Sequence, residues 1–299
     1  MNTQAQKKIL LAIDGSEYAL ETVKYISKIP AFQKMRVVLL NVMSKIPEHY
    51  WDLKREPQFN WRITDIRAWE RQLEKNLEEY MGKARGILFD AGFPQDAVSV
   101  KTQERQAGIA RDIVKEAKNG YYAIAVGRKG LSKLKDLILG SIVIKLLEKL
   151  TFVPLFVVGT NPQPGKVLLA LDTSEGSMRA VDYLGYTLGE SDLEASIIHV
   201  IRGEKRAWIE DREAEIEPVF NIAKSHLMSC GFDSDQITTK TITGVQSRAN
   251  AIVKEAKDGD YGTIVVGRRG LSKVRDFFMG RVSNKVIQLA EGKAVCVVS

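Results

Sequence analysis

One stretch of this chain is written twice. Residues 110–141 read ARDIVKEAKNGYYAIAVGRKGLSKLKDLILGS, and residues 249–281 read ANAIVKEAKDGDYGTIVVGRRGLSKVRDFFMGR. In both, an apolar run leads into Gly-x-x-Gly, nine residues and a third glycine. The beginnings match as well. Lys8-Ile9-Leu10-Leu11-Ala12-Ile13-Asp14 returns as Lys166-Val167-Leu168-Leu169-Ala170-Leu171-Asp172, and Ser16-Glu17 returns as Ser174-Glu175. Self-similarity over so long a period means a folding unit duplicated in tandem. The 299 residues have room for two units of about 150 residues each. The turn-rich stretch Gly159-Thr160-Asn161-Pro162-Gln163-Pro164-Gly165 separates them, which predicts domains over 1–160 and 161–299.

Within each half, apolar β-branched runs alternate with amphipathic segments. Strands are expected near 8–13, 36–42, 98–102, 121–126 and 152–158, and near 166–171, 194–200, 236–242, 261–266 and 294–298. Helices are expected at 16–29 with Ser16 as N-cap, 60–91, 107–118 and from Gly140-Ser141 onward. The second copy repeats them at 174–189, 205–229, 246–257 and 281–291. Such alternation gives an α/β fold, a doubly wound parallel sheet with helices on both faces, once per half. Segment 44–70, rich in aromatics (Tyr50, Trp51, Phe59, Trp61, Trp69), has no equal in the second half and reads as a flap packed on its own domain, with a lid or a partner surface as the alternative.

No apolar run reaches the ~18 residues of a membrane helix, and MNTQAQKK is not followed by a signal-type apolar core. A cytoplasmic protein without membrane attachment is the expectation. Cys230 and Cys296 lack metal or redox spacing and read as structural. A net charge of +7 favours anionic partners. No nucleic-acid-binding motif accompanies it, so nucleic acid is not the expected partner.

The glycines carry the chemistry. Gly127 ends an apolar strand, and the carboxyl ends of parallel strands border the ligand crevice. Backbone amides turned inward at Gly127-x-x-Gly130 would form an anion nest. Gly140-Ser141 opens a helix, whose unpaired amides and dipole favour phosphate. Lys129, Lys133 and Lys135 stand in the loop with Arg128, and one or two of these cations could reach a phosphate. Asp14, across the switch point, suits a base, ribose or magnesium contact better than a phosphate contact. On this reading a valine at Gly127 or Gly140 blocks the ligand and spares the fold.

The pattern Gly127-x-x-Gly130-x9-Gly140-Ser141, with the opening KILLAIDGS and the closing VPLFVV, resembles the ATP-binding signature and the terminal strands of the universal stress protein family. The resemblance runs over nearly the whole chain as two copies. It implies a five-stranded sheet of order 3-2-1-4-5 in each half, the adenine nucleotide alpha-hydrolase-like arrangement. It implies bound ATP, or AMP or ADP, with magnesium as an accompanying ion. Asp14 and Val42 would flank adenine and ribose. Val126, Gly127, Lys129, Gly130, Gly140, Ser141 and Ile142 would hold ribose and phosphates. In the second copy Asp172, Val200, Val266, Gly267, Gly270 and Gly280 stand at the matching places, but Arg281 replaces the Ser/Thr of the signature. That arginine could bind phosphate or fill the pocket, and Ser283 could supply a hydroxyl. Pairing through the last strands is also implied, with the two halves standing in for a dimer, and further homodimerisation is left open.

Neither a Walker loop nor a GxSxG elbow is present. His199 ends a strand where Asn41 stands in the first copy, and it reads as a hydrogen-bonded structural histidine. The expectation is a nucleotide-dependent stress or signalling regulator with an unidentified protein partner and no strong catalysis. A slow magnesium-dependent ATPase or phosphotransferase, and a scaffold without nucleotide, are the alternatives.

Overall fold

In a computed structural model of the chain, which describes residues 7–43, 60–130, 138–189, 191–203, 206–270 and 279–299, the apolar runs form a sheet of ten strands. The first half supplies β1 (Lys8–Ala12), β2 (Arg36–Met43), β3 (Val98–Glu104), β4 (Ala123–Gly127) and β5 (Leu155–Val158). The second supplies β6 (Lys166–Ala170), β7 (Glu194–Arg202), β8 (Ile237–Val245), β9 (Thr263–Gly267) and β10 (Ala294–Val298). Their order is β3-β2-β1-β4-β5-β10-β9-β6-β7-β8. Each half is therefore a parallel 3-2-1-4-5 sheet, and the last strands join antiparallel, Phe156 opposite Cys296.

The helices are α1 (Glu17–Ser27), α2 (Pro30–Gln33), α3 (Asn60–Asp90), α4 (Ile109–Ala117) and α5 (Ser141–Lys149), then α6 (Glu175–Leu188), α7 (Arg206–Ser229), α8 (Arg248–Asp258) and α9 (Arg281–Leu289). Strand alternation sorts the core. Ile9, Leu11, Val37 and Leu39 meet Ala19, Val23 and Leu88 of α1 and α3 on one face. Leu10, Leu40, Ile124 and Val126 meet Ile113, Val143 and Leu146 of α4 and α5 on the other. A strand buried on both faces needs an unbroken apolar run, which is how these strands read. The short α2, which buries Phe32, was not expected from the sequence. Of segment 44–70, residues 44–59 lie outside the described residues, and the remainder opens α3.

The seam between halves is closely packed. The Phe156 ring centre lies 5.7 Å from that of Phe32 and 6.4 Å from that of Tyr183. The buried hydroxyl of Tyr25, on α1, shares a 2.6 Å hydrogen bond with Thr263 of β9. Burial pushes the Cys296 thiol well up, as suits a structural cysteine.

Candidate functional site

The carboxyl ends of β1 and β4 are neighbours, and the chain leaves them toward opposite faces of the sheet, which opens a crevice. At its rim Asp14 accepts the Ser16 amide through Oδ1 at 3.0 Å, and Ser16 Oγ caps α1 by accepting from Ala19 N–H at 3.2 Å. Asp172 and Ser174 repeat both bonds at 2.9 and 3.2 Å. Each aspartate is thus held at a strand end by a local turn. Asn41 Nδ2 donates to Ile13 O at 2.7 Å, and His199 Nδ1 meets Leu171 O at the same place in the second copy, at 2.8 Å. This bond makes His199 a buttress of the strand end.

The three glycines of each signature play different parts. A Cβ on Gly127 would sit 2.8 Å from the backbone carbon of Tyr18, and one on Gly267 would sit 2.6 Å from the Gly176 carbonyl oxygen. These two glycines let α1 and α6 pack against the strand end. The expectation that valine at Gly127 spares the fold is therefore wrong. At Gly130 and Gly270 an added Cβ would overlap Oδ2 of Asp14 and Asp172. Those glycines let the loop backbone lie close against the carboxylates. At Gly140 and Gly280 a Cβ would meet ordinary contacts, the nearest at 3.5 and 3.4 Å, and the backbone has ordinary dihedral angles. The fold itself tolerates a side chain at these two.

Gly140 N–H donates to Arg128 O at 3.0 Å and Gly280 N–H to Arg268 O at 2.8 Å, which closes each glycine loop on the start of its helix. Both α5 and α9 begin without a side-chain cap. A helix start leaves amides without intrahelical partners, so each loop ends on donors and on a positive dipole end. The proposed Ser283 hydroxyl is spoken for: it donates to Gly267 O at 2.7 Å and is buried. Exposed Ser141 and half-buried Ile142 and Lys129 stand beside the first loop, while Val126 is buried and Val42 half-buried at the neighbouring strand ends. Lys133 and Lys135 lie outside the described residues.

Arg128 does not serve the loop that holds it. It is 1% exposed, and its fork reaches the other half. There it donates to Ile287 O at 2.5 Å, Gln288 O at 2.6 Å and Ala290 O at 3.2 Å, the final carbonyls of α9. Arg268 does the same in reverse, donating to Leu147 O and, at 2.5 Å, to Leu150 O at the end of α5, with Nε on Ser299 Oγ at 2.8 Å. Burial pulls both guanidinium pKa values down from their ordinary range. Such a fork satisfies several unpaired helix-end carbonyls at once and opposes the negative dipole end. Arg128 was expected among the phosphate cations because of its sequence position alone; its partners lie some 160 residues away.

In the second half the crevice is a cleft of about 450 Å³. Asp172, Val200, Val266, Gly267, Gly270, Gly280 and Arg281, the second-copy residues singled out in the sequence, all line it. Arg202, Arg248, Arg269 and Glu215 line it too, and sequence reasoning missed these. Arg248 opens α8, and its Nε donates to Val200 O at 3.1 Å. Only the folded sheet brings α8 over the end of β7. In the first half Tyr80 of α3 donates to Ser16 O at 2.5 Å, and burial, with the Asp14 charge behind it, raises its hydroxyl pKa. Counting back from the shared helix endings, where Phe93 N–H meets Leu88 O and Phe232 N–H meets Leu227 O, the second copy has Val219 there. The two crevices therefore share a backbone plan and differ in their walls.

The sequence matches the Universal stress protein family twice, over residues 6–159 and 164–298. It is 28% identical over 137 residues to universal stress protein YxiE of Bacillus subtilis, a match covering 42% of this chain and 93% of that protein. The fold is similar to that of a universal stress protein from Archaeoglobus fulgidus DSM 4304. The TM-score is 0.65, identity is 21%, and 99% of each chain is covered. A protein of unknown function from Pseudomonas aeruginosa PAO1 shares it with a TM-score of 0.57 and 17% identity, over 99% of this chain and 93% of that one.

Proposed function

The chain belongs to the universal stress protein family, and from that premise we propose that it is an adenine-nucleotide-binding regulator. The ligand is ATP, or AMP or ADP, with magnesium as the accompanying ion. The observation that carries this reading is the pair of helix starts at Gly140-Ser141 and Gly280-Arg281. Each lacks a side-chain cap and closes a glycine loop held against an aspartate. Unpaired amides at a positive dipole end are donors for phosphate. Asp14 and Asp172 would accept from ribose hydroxyls or the base. Val42 and Val200 would lie against the nucleoside.

Binding in one half can be felt in the other. Helix α9 begins at the second site and ends on Arg128, which follows Gly127 of the first. Helix α5 begins at the first site and ends on Arg268 of the second. Each has nine residues, about 14 Å of stiff backbone. A ligand that draws on one helix start would favour one arrangement of the halves, by population shift. That arrangement would present a surface to a protein partner in the cytoplasm.

The test begins with protein purified without added nucleotide, then heated and analysed for released nucleotide, followed by titration calorimetry with ATP. Carry-over of adenine nucleotide, or saturable ATP binding, supports the reading. Absence of both, with no shift in melting temperature, overturns it.

A further inference from the structure

The second-half cleft carries arginines that its described first-half counterparts lack. Four arginines, Arg202, Arg248, Arg269 and Arg281, line the second-half cleft with two carboxylates, Asp172 and Glu215. The repeat gives the first-half counterparts of Arg248, Arg269 and Arg281 as Ile109, Lys129 and Ser141, and those of the carboxylates as Asp14 and Asn76, while the sequence counterpart of Arg202 lies outside the described residues. Among the described counterparts, one cation and one carboxylate stand where the second half has three arginines and two carboxylates.

The added cations fall in two places. Arg269 and Arg281 belong to the glycine loop and the start of α9, where a phosphate tail would lie. Arg202 ends β7, and Arg248 is anchored through Nε on the Val200 carbonyl. Strands β7 and β9 flank β6, so the strands that lead to Arg202 and to Arg269 are two strand spacings, about 10 Å, apart across the sheet. Val200 is the residue that would lie against the nucleoside. A nucleoside triphosphate has no negative charge at that end. Guanidinium forks are built for phosphate, and a cleft rimmed by one sign of charge focuses its field on an anion.

We propose that the second-half cleft selects a nucleotide phosphorylated at both ends, one phosphate at Arg269 and Arg281 and another on the nucleoside side at Arg202 and Arg248. The inference rests on the nucleotide reading of the same crevice. The first-half crevice, with Ile109 in the place of Arg248, keeps the ordinary 5′-polyphosphate.

Two isomers separate the possibilities. ADP and adenosine 3′,5′-bisphosphate share base, sugar and phosphate number and differ only in where the phosphates sit. The full-length protein carrying Ser141→Asp, which sets a carboxylate against phosphate in the first half, is titrated with each by calorimetry. The bisphosphate is expected to bind at least tenfold more tightly than ADP. Arg248→Ala in the same background should erase that preference, with Arg202→Ala as the second variant and melting curves reporting on the fold. Equal or tighter binding of ADP overturns this proposal and leaves the nucleotide reading intact. A preference that survives both arginine variants also overturns it. If neither isomer binds, the nucleotide reading of the second half fails along with it.

Discussion

Replacing Arg128 by alanine separates a structural arginine from a ligand-binding one. The side chain is 1% exposed and donates three hydrogen bonds, at 2.5, 2.6 and 3.2 Å, to the closing carbonyls of α9. Hydrogen bonds involving a charged group contribute about 1.5–3 kcal/mol each, and truncating one partner strands the others. The favourable dipole adds about 0.3–1 kcal/mol. Against this stands the cost of burying the guanidinium, visible in its depressed pKa, and an Nε without a partner. A net loss of about 3 kcal/mol follows, since truncating one side of a buried charged contact costs about 3–5 kcal/mol before relaxation. That corresponds to a fall of roughly 6–12 °C in melting temperature for a chain of this size. Urea unfolding and thermal melts measure it, and Arg128→Lys, which keeps charge but loses the fork, should recover less than half. A stability within 0.5 kcal/mol of the parent, paired with a loss of nucleotide affinity, would refute the reasoning and return Arg128 to the phosphates.

The glycines give a matched pair of expectations. Gly127→Ala forces a Cβ against the Tyr18 backbone and should destabilise by about 1–3 kcal/mol in urea unfolding. Gly140→Ala meets only ordinary contacts, so stability should hold within about 0.5 kcal/mol while calorimetry shows weaker ATP binding. Ser141→Ala should cost about 1 kcal/mol of ATP affinity, the scale of one hydrogen bond. Acid should expose a carboxylate network beside β3. Burial alone would raise Glu116, but bonds from Lys101, Tyr121 and Asn119 outweigh it. Likewise for Asp112, burial is outweighed by the amides of Ala107, Gln106 and Gly108, so both titrate below their ordinary values. A carboxylate with a depressed folded pKa contributes stability above its unfolded value, about pH 4, and loses it as pH falls through the folded one. Stability should therefore drop as pH is lowered below about 4, and Glu116→Gln should be less stable at pH 7 with a shallower acid slope.

What could be read from the sequence was what depends on neighbours along the chain. The repeat gave the tandem architecture. The apolar runs gave the strands, and Ser16 and Ser174 cap helices where the capping rule puts them. The second-copy residues that the family resemblance marked line one cleft. What escaped was long-range. Arg128 stands beside a glycine loop in the sequence and against the far helix in space. Gly127 reads as ligand clearance and serves as clearance for α1. Arg202 and Arg248 look like scattered surface charge until β7 and α8 bring them to one wall. Polar side chains of this kind find their partners through topology, and a local pattern holds no record of it.

The central claim is that main-chain amides at the glycine loops and helix starts grip phosphate. Selective ¹⁵N labelling of glycine and serine with an ATP titration reads those amides directly. The account predicts that the Gly130 and Ser141 amides shift on adding ATP and move far less with adenosine. ATP binding that leaves both signals in place, or adenosine shifting them equally, would contradict it.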